Sequence, residues 1–225
     1  MNQVEKIYSE NSDPKNFSIG YMNYLKELLS QIDPLAIAGF IETLIEARNR
    51  GAQIFFIGNG GSAATASHFA NDLAIGTKTL DKPFRVTSLT DNLATITAIA
   101  NDSGYEEIFL QQLKVLFRPG DVVVGISASG NSPNILKAIE YTNQEGGFTV
   151  GLTGFEGGKL RKIVKLNIHV PTQKGEYGPV EDVHMMLDHL TSAYLMYHCQ
   201  SLHRTSRQSI QHPLDLVFNS VQSPT

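Results

Sequence analysis

Glycine, serine and asparagine are concentrated in two short segments, GNGGSAA at residues 58–64 and SASGNSPN at residues 127–134. Each segment follows an apolar run and leads into a helical pattern. Glycine allows backbone N–H groups to approach a ligand closely, and the first turn of a helix presents unpaired N–H donors with a partial positive charge. Hydroxyl donors are added by Ser62, Ser127, Ser129 and Ser132. One such segment alone could simply cap a helix, but two at one edge of a sheet predict a site for a terminal phosphate.

Five apolar runs alternate with helical patterns along most of the chain. The runs are QIFFIG, FRVTSL, DVVVGIS, FTVGLTG and LNIHVP, and helical stretches lie at 63–75, 93–117 and 132–145. Near-continuous apolar strands joined by helices predict an α/β fold with a parallel sheet that is covered on both faces. Ligands of such sheets gather at the carboxyl ends of the strands, so both glycine and serine segments should lie at one edge.

The two ends of the chain carry weaker patterns. Residues 1–16 are predicted to be a mobile amino-terminal segment, and a pair of helices follows, the second from Pro34 to Arg50. A last long helix is predicted from near Val180 to about Gln200. The single domain is therefore assigned to residues 17–200, and residues 201–225 are predicted to form a polar tail with an apolar island at 214–218.

Composition narrows the classes of function. With 225 residues, of which 41% are hydrophobic, the chain can bury one sizeable core. A net charge of -4 argues against general nucleic-acid binding. The chain opens without a basic region followed by an apolar one, and it has no apolar run long enough to span a membrane, so we expect a cytoplasmic protein. Because Cys199 is the sole cysteine, a metal would need histidine and carboxylate ligands.

A dinucleotide site is the main rival interpretation of the first segment. Gly58, Gly60 and Ala63 match the G-x-G-x-x-A pattern after a strand. The acidic residue expected about 20 residues further on is not clearly placed, and the second serine segment has no role in such a site. Neither segment matches the phosphate loop of nucleoside triphosphatases, G-x-x-x-x-G-K-[ST]. A phosphate site shared by the two segments therefore remains the better interpretation.

At these residues the chain resembles the sugar isomerase (SIS) family and, within it, the phosphoheptose isomerases. The segments that carry the resemblance are GNGGSAATASHFANDL, AIANDSGYEEIF, GDVVVGISASGNSPNILKAIE, GLTGFEGGKL and VEDVHMMLDHL, and the likeness covers about residues 20–198. It implies a three-layer αβα, flavodoxin-like fold with a five-stranded parallel sheet and a homotetramer with active sites between subunits. The implied reaction converts sedoheptulose 7-phosphate to D-glycero-D-manno-heptose 7-phosphate for surface polysaccharide synthesis.

That reaction moves a proton between adjacent carbons through an enediol, which requires a base, an acid and stabilisation of an oxyanion. His68 and Asp72 lie four residues apart and so share one face of the helix after the first segment. The resemblance implies a zinc ion held by His68, Asp72, Glu181 and His189, with Asp72 and His189 also transferring protons. It implies further that the sugar phosphate contacts Asn59, Gly60, Ser62, Asp102, Ser127, Ser129, Asn131 and Ser132.

Spacing alone favours different residues on the last helix. His184 and Asp188 form an i,i+4 pair, whereas Glu181 and His189 are eight residues apart, roughly 80° round a helix of about 3.6 residues per turn. We choose Glu181 and His189 because of the resemblance. His184 is interpreted as a core residue or as support for the site.

The chain departs from the family's usual residues at several positions. Asp72 stands where the family has glutamate, and Glu181 stands where it has glutamine, which adds negative charge and favours a metal-bound form. Ser127-Ala128-Ser129 replaces serine-threonine-serine. The family's arginine after the first site helix matches Gly76, with Lys78 nearby, and an acid before the last helix matches Gly178, with Glu176 nearby.

A non-catalytic SIS tetramer is the alternative function. Such a protein would bind the replication initiator or sense a sugar phosphate, and it would need the phosphate segments but not the groups that transfer protons. The acid at Asp72 and the histidine at His189 are both present. Their presence favours an enzyme.

Overall fold

A computed structural model describes residues 1–79 and 81–211, with side chains up to residue 202. The sheet has five strands, which are β1 Gln53–Gly58, β2 Arg85–Ser88, β3 Val122–Ser127, β4 Phe148–Thr153 and β5 Leu166–His169. All pairings are parallel, and the strand order is β2-β1-β3-β4-β5. This is the flavodoxin-like order, and it confirms the predicted fold.

Nine α-helices occur in the described residues. They are α1 Gln3–Glu10, α2 Pro14–Ser30, α3 Pro34–Arg50, α4 Gly61–Asn71, α5 Leu93–Ser103, α6 Leu110–Leu116, α7 Pro133–Gln144, α8 Leu160–Ile163 and α9 Tyr177–Gln211. A π-helical turn at Asp72–Gly76 continues α4, and a 3-10 turn occupies Tyr105–Glu107. The predicted helical pair corresponds to α2 and α3, and α3 ends at Gly51, whose φ of 71° suits glycine.

Alternate residues of the strands face two separate hydrophobic cores. Ile54 and Phe56 of β1 belong to the core that also includes buried residues of α2, α3, α4 and α9, whereas Phe55 and Ile57 belong to the core with α6, α7 and α8. The sheet is therefore covered on both faces, as its near-continuous apolar strands predict. This arrangement confirms the three-layer αβα architecture.

The amino-terminal segment differs from the predicted mobile stretch. Asn2 and Glu5 form a capping box that starts α1, and the carboxylate of Glu176 accepts hydrogen bonds from the backbone N–H groups of Gln3 at 2.6 Å and Val4 at 3.2 Å. A distant carboxylate thus satisfies N–H groups that the helix itself leaves unpaired. Because Glu176 lies 173 residues from Gln3, the local sequence carries no sign of this contact.

The last helix also departs from the predicted boundary. It passes residue 200 and continues to Gln211, so the assigned limit between domain and tail falls inside α9. The apolar island at 214–218 lies outside the described residues. The assignment of a single domain that begins at residue 17 stays a prediction.

A search of the described residues for membrane spans finds no single helix with the required length and apolar character. The pair formed by Pro14–Ser30 and Pro34–Arg50 meets the same criteria jointly, by length and composition only, with a bend of 72° between the two helices.

Replacing Glu176 by glutamine should destabilise the protein by about 2–4 kcal/mol, because hydrogen bonds to a buried charged acceptor contribute about 1.5–3 kcal/mol each. Glu176 is 2% exposed, and its carboxylate also accepts from the Tyr24 hydroxyl at 2.6 Å and the Gln173 N–H at 2.8 Å. Urea unfolding monitored by circular dichroism measures the change. Glu10→Gln is the control, since its exposed pairing with Lys6 at 3.9 Å should contribute less than about 0.5 kcal/mol. Equal stability of the two variants would contradict this role for Glu176.

Candidate active site at the carboxyl edge of the sheet

The two glycine and serine segments line one cavity of about 280 Å³ at the carboxyl ends of β1 and β3. Its lining consists of Asn59, Gly60, Gly61, Ser62, Ile126, Ser127, Ala128, Ser129, Ser132, Tyr177 and Glu181. The first segment enters α4 through Gly60, whose φ of 55° is in the left-handed region. The second enters α7 through Pro133 at the start of that helix. Two helix amino termini therefore face one cavity, which favours an anion.

Hydrogen bonds within the second segment hold its backbone in place. The Ser127 hydroxyl accepts from the Gly130 N–H at 3.1 Å, and the Asn131 side-chain oxygen accepts from the Lys159 N–H at 3.0 Å. A Cβ on Gly130 would overlap the carbonyl group of Gly157. The GLTGFEGGKL segment after β4 therefore supports the serine loop from behind. Asn131 acts on the loop itself in this structure, although its predicted contact is with the substrate.

Asn59 joins the two segments through a pair of side-chain amides. Its Oδ1 accepts from Asn134 Nδ2 at 2.8 Å and from the Tyr105 hydroxyl at 2.9 Å, and its Nδ2 donates to Asn134 Oδ1 at 3.0 Å. Asp102, another predicted substrate contact, is exposed near the end of α5 and does not line this cavity. Its role in binding stays a prediction.

Glu181 lies on the first turns of α9, and its carboxylate packs against the backbone of Gly61. A Cβ at Gly61 would overlap that carboxylate, so any other residue at this position would require the Glu181 side chain to shift. Burial raises the pKa of Glu181, and the charge of Asp182 raises it further. The carboxylate therefore lies at the amino terminus of α4, inside the cavity that is lined by the serine segments.

The structure brings together a group of four possible metal ligands where α4 packs against α9. The group comprises His68, Asp72, Asp188 and His189, and one possible ligand atom of each lies within 4.8 Å of the others. His68 Nε2 is 3.3 Å from His189 Nε2 and 3.6 Å from Asp72 Oδ2. Three of the four predicted ligands thus converge. Glu181 is not in this group, and Asp188 takes its place.

Asp188 is the candidate metal ligand that the sequence interpretation did not select. It is fully buried, and within the described residues neither carboxylate oxygen has a hydrogen-bond partner. Burial raises the pKa of Asp188 to about 7, with a further contribution from the charge of Asp72. The i,i+4 spacing from His184 was a visible signal, but it points to the wrong partner, because the side chains around the Asp188 carboxylate belong to α4 and to His189.

His184 is buried in the interior, as interpreted from the sequence. It is fully inaccessible, and in the described part of the chain neither ring nitrogen makes a hydrogen bond of normal geometry. Burial lowers the pKa of His184 to about 4, an effect that the Thr153 carbonyl opposes and His169 strengthens. His184 is therefore neutral at pH 7.

The positions near the family's missing arginine and acid have other roles. Gly76 ends the π-helical turn and lines a second cavity of about 260 Å³ with Asp72 and His189. Lys78 is exposed and lines neither cavity. The Glu176 carboxylate accepts hydrogen bonds from the backbone at the start of α1. Neither Lys78 nor Glu176 supplies a charge to the serine-lined cavity in this structure.

Comparison with known proteins identifies the family to which the chain belongs. The SIS domain family matches residues 20–154. A phosphoheptose isomerase of Geotalea daltonii is 40% identical over 155 residues, covering 68% of this chain and 81% of that protein. The structure of phosphoheptose isomerase from Neisseria gonorrhoeae superimposes with a TM-score of 0.72 and 29% identity, covering 79% of this chain and 94% of that one. A phosphoheptose isomerase from Francisella tularensis gives a TM-score of 0.74 at 26% identity, covering 88% and 100%. The chain belongs to the SIS domain family.

The buried neutral His184 makes stability depend on pH. Its pKa is about 4 in the folded protein and about 6.5 when unfolded, so the unfolded state binds more protons between these values. The stability that depends on a neutral His184 is complete above pH 6.5 and is lost as the pH falls towards 4. Relative to His184→Leu, the wild type should lose up to about 3 kcal/mol of unfolding free energy over this interval.

Urea unfolding at several pH values, in chelator to keep metal away, measures this difference. The comparison with the variant is necessary because the raised pKa of Asp188 acts in the opposite direction in both proteins. His198→Gln, a change on the same helix, is the control and should follow the wild type. Parallel pH profiles for wild type and His184→Leu would show that the buried imidazole does not titrate in this way.

Proposed function

We propose that this protein is a phosphoheptose isomerase, a ketose-aldose isomerase that converts sedoheptulose 7-phosphate to D-glycero-D-manno-heptose 7-phosphate. The observation that carries the proposal is that α4 leads from a serine-lined cavity of about 280 Å³ at its amino terminus to a group of two histidines and two aspartates. The identity of 40% to a protein named phosphoheptose isomerase supports it. A sugar phosphate needs both features, one for its phosphate and one for its reacting carbons.

The phosphate would bind between the two loops. Hydroxyl groups of Ser62, Ser129 and Ser132 and the N–H groups at the start of α4 supply donors for several phosphate oxygens. Ala128 provides no hydroxyl where the resembling family has threonine. The sugar then extends along α4 towards His68, one turn and a half further along that helix.

In the proposed isomerisation, a base removes a proton from C1, beside the C2 carbonyl, and the electron pair moves to O2, which takes a proton. The enediol then loses the proton of its O1 hydroxyl and gains one at C2. Asp72 and His189 are proposed to carry these protons. Both lie within the ligand group, and both line the second cavity, which also opens at Gly76.

The donor set fits a zinc ion or a similar divalent cation. Two imidazoles and carboxylates form a common shell for Zn²⁺, and the buried carboxylate of Asp188, which lacks a partner among the described residues, needs a positive charge or a donor. When bound, the metal would polarise the carbonyl and enediolate oxygens. His68 is proposed as a ligand only, whereas Glu181, which the resemblance implies as a ligand, lies outside this group and lines the serine-lined cavity.

A homotetramer with sites between subunits is proposed as the working assembly. Helix α5 has the apolar sequence LATITAIANDS, yet it has no buried residue within the described chain, and Leu93 is 72% exposed. Ile96, Ile99 and Ala100 pack against one core, whereas Leu93, Ala94, Thr97 and Ala98 are exposed. Such an uncovered apolar surface is typical of a subunit interface. Asp102 lies on this helix, so an interface there would bring it to a neighbouring subunit and account for its distance from the cavity of its own chain.

The alternative, a non-catalytic SIS protein that binds the replication initiator or senses a sugar phosphate, needs the cavity but not proton transfer. Incubation of zinc-loaded protein with sedoheptulose 7-phosphate, followed by NMR, distinguishes the two. We expect aldose product, loss of most activity in chelator, recovery with Zn²⁺, and a drop in kcat of at least about 100-fold for His189→Ala and Asp72→Asn. Binding without turnover of any C5–C7 ketose phosphate would favour the alternative.

Ser129→Ala should raise KM for the phosphorylated sugar about tenfold and leave kcat within about threefold, because one hydrogen bond to a charged group contributes about 1.5–3 kcal/mol to binding. Inorganic phosphate should inhibit the variant less than the wild type. Ser30→Ala, at an exposed position of α2, is the matched control. If sedoheptulose and its 7-phosphate bind the wild type equally well, the serine loops do not recognise phosphate.

A further inference from the structure

Burial of the Asp188 carboxylate without a cation destabilises the folded protein. Its side chain is fully buried, and neither oxygen has a hydrogen-bond partner in the described part of the chain. Asp72, a second carboxylate, lies in the same group of ligand atoms. An ionised carboxylate without a partner is strongly destabilising in a protein interior, and two of them repel each other. Such a pair persists where a ligand compensates for it.

Distances around His68 fit a shared metal. Its Nε2 is 3.3 Å from His189 Nε2, 3.6 Å from Asp72 Oδ2 and 4.0 Å from Asp188 Oδ2. Zinc bonds of about 2.0–2.1 Å in a tetrahedron separate the ligand atoms by about 3.3–3.4 Å. The distances to His189 and Asp72 are close to this spacing, and the distance to Asp188 is somewhat longer.

Glu181 faces a different part of the site. It precedes Asp188 by seven residues, which places it on the same face of α9 about 10.5 Å earlier along the axis. Its carboxylate packs on Gly61, at the wall of the serine-lined cavity. The two acids of α9 thus lie at separate positions, one in the cavity and one beside His68.

We propose that Asp188 is a direct ligand of the divalent metal, so that this chain binds it through His68, Asp72, Asp188 and His189. The inference rests on the proposed function only in that both require a divalent metal at this group. In this assignment Glu181 is not a metal ligand, and its carboxylate lines the cavity proposed for the substrate. The proposed ligand set contains two carboxylates and two imidazoles. Its two carboxylates balance the charge of a divalent cation without a contribution from Glu181.

Metal affinity measured by competition with a chromophoric chelator provides the first test. Asp188→Asn should weaken zinc binding by at least tenfold, whereas Glu181→Gln, the matched loss of one acid on the same helix, should change it less than threefold. Thermal unfolding provides the second readout. Without metal, Asp188→Asn should melt at the same temperature as the wild type or higher, because a buried charge is removed. Addition of zinc should raise the melting temperature of Asp188→Asn less than that of the wild type. A lower melting temperature without metal would indicate a structural role instead.

A cysteine at position 188 tests direct contact. Thiolate is a strong ligand for this class of metal, and a thiolate bound to Co²⁺ has an intense near-ultraviolet charge-transfer absorption. Cobalt-loaded Asp188→Cys should show this band. The wild type, in which Cys199 is buried eleven residues further along α9, should not. The absorption spectrum of the cobalt-loaded Asp188→Cys protein also tests direct contact with the metal if Asp188→Asn fails to fold.

The proposal is overturned if Asp188→Asn binds zinc as the wild type does, if cobalt-loaded Asp188→Cys lacks the band, or if the wild type binds no divalent ion. The first two results leave the isomerase function intact whenever the wild type turns over sedoheptulose 7-phosphate. A protein that binds zinc through Asp188 but isomerises no ketose phosphate would instead refute the proposed function and support the ligand assignment.

Discussion

The reversal of strand order at β1 determines where the candidate functional groups of this chain lie. β2 pairs with one side of β1 and β3 with the other, so the chains that leave β1 and β3 diverge to opposite faces of the sheet. Helix α4 packs into one core and α7 into the other. Their amino termini face one cavity, where the unpaired N–H groups of the first turns can bind a ligand. The serine hydroxyls and the ligand group both depend on this divergence.

Helix α9 supplies the second half of the site because it packs against α4. Its early turns present Glu181 to the cavity, and its middle turns present Asp188 and His189 to His68. The anchoring of α9 begins just before the helix, where Glu176 binds the amino terminus of α1 and the Tyr24 hydroxyl. The position of the last helix, and with it half of the ligand group, is therefore linked to the start of the chain.

Local chemistry explains which features could be predicted from the sequence. The strands and the two phosphate segments follow from apolar runs, glycine and serine, whose preferences act over a few residues, and the resemblance identifies the family. The contact between Glu176 and α1 and the meeting of Asp188 with His68 join residues more than 100 positions apart. Periodicity paired Asp188 with His184, because it describes one helix and contains no information about the helix that packs across it. Lys78 and Glu176 are near the expected positions in sequence, but Lys78 is exposed and lines neither cavity, and the Glu176 carboxylate accepts hydrogen bonds from the start of α1.

The exchange of glutamate for aspartate at position 72 and the presence of Asp188 have one common explanation. Aspartate is shorter than glutamate by one methylene, about 1.5 Å of reach, so a metal held by Asp72 as proposed would lie closer to the contact between α4 and α9 than one held by glutamate. At that depth the carboxylate of Asp188 is within 4.0 Å of His68 Nε2, and both of its oxygens are shielded from water. Glu181, at the outer end of the same helical face, lies against Gly61 and would contact the substrate rather than the metal. Under the proposed ligand set the two departures would act together, because the shorter acid would bring the metal inwards and the buried acid would complete its ligand set there.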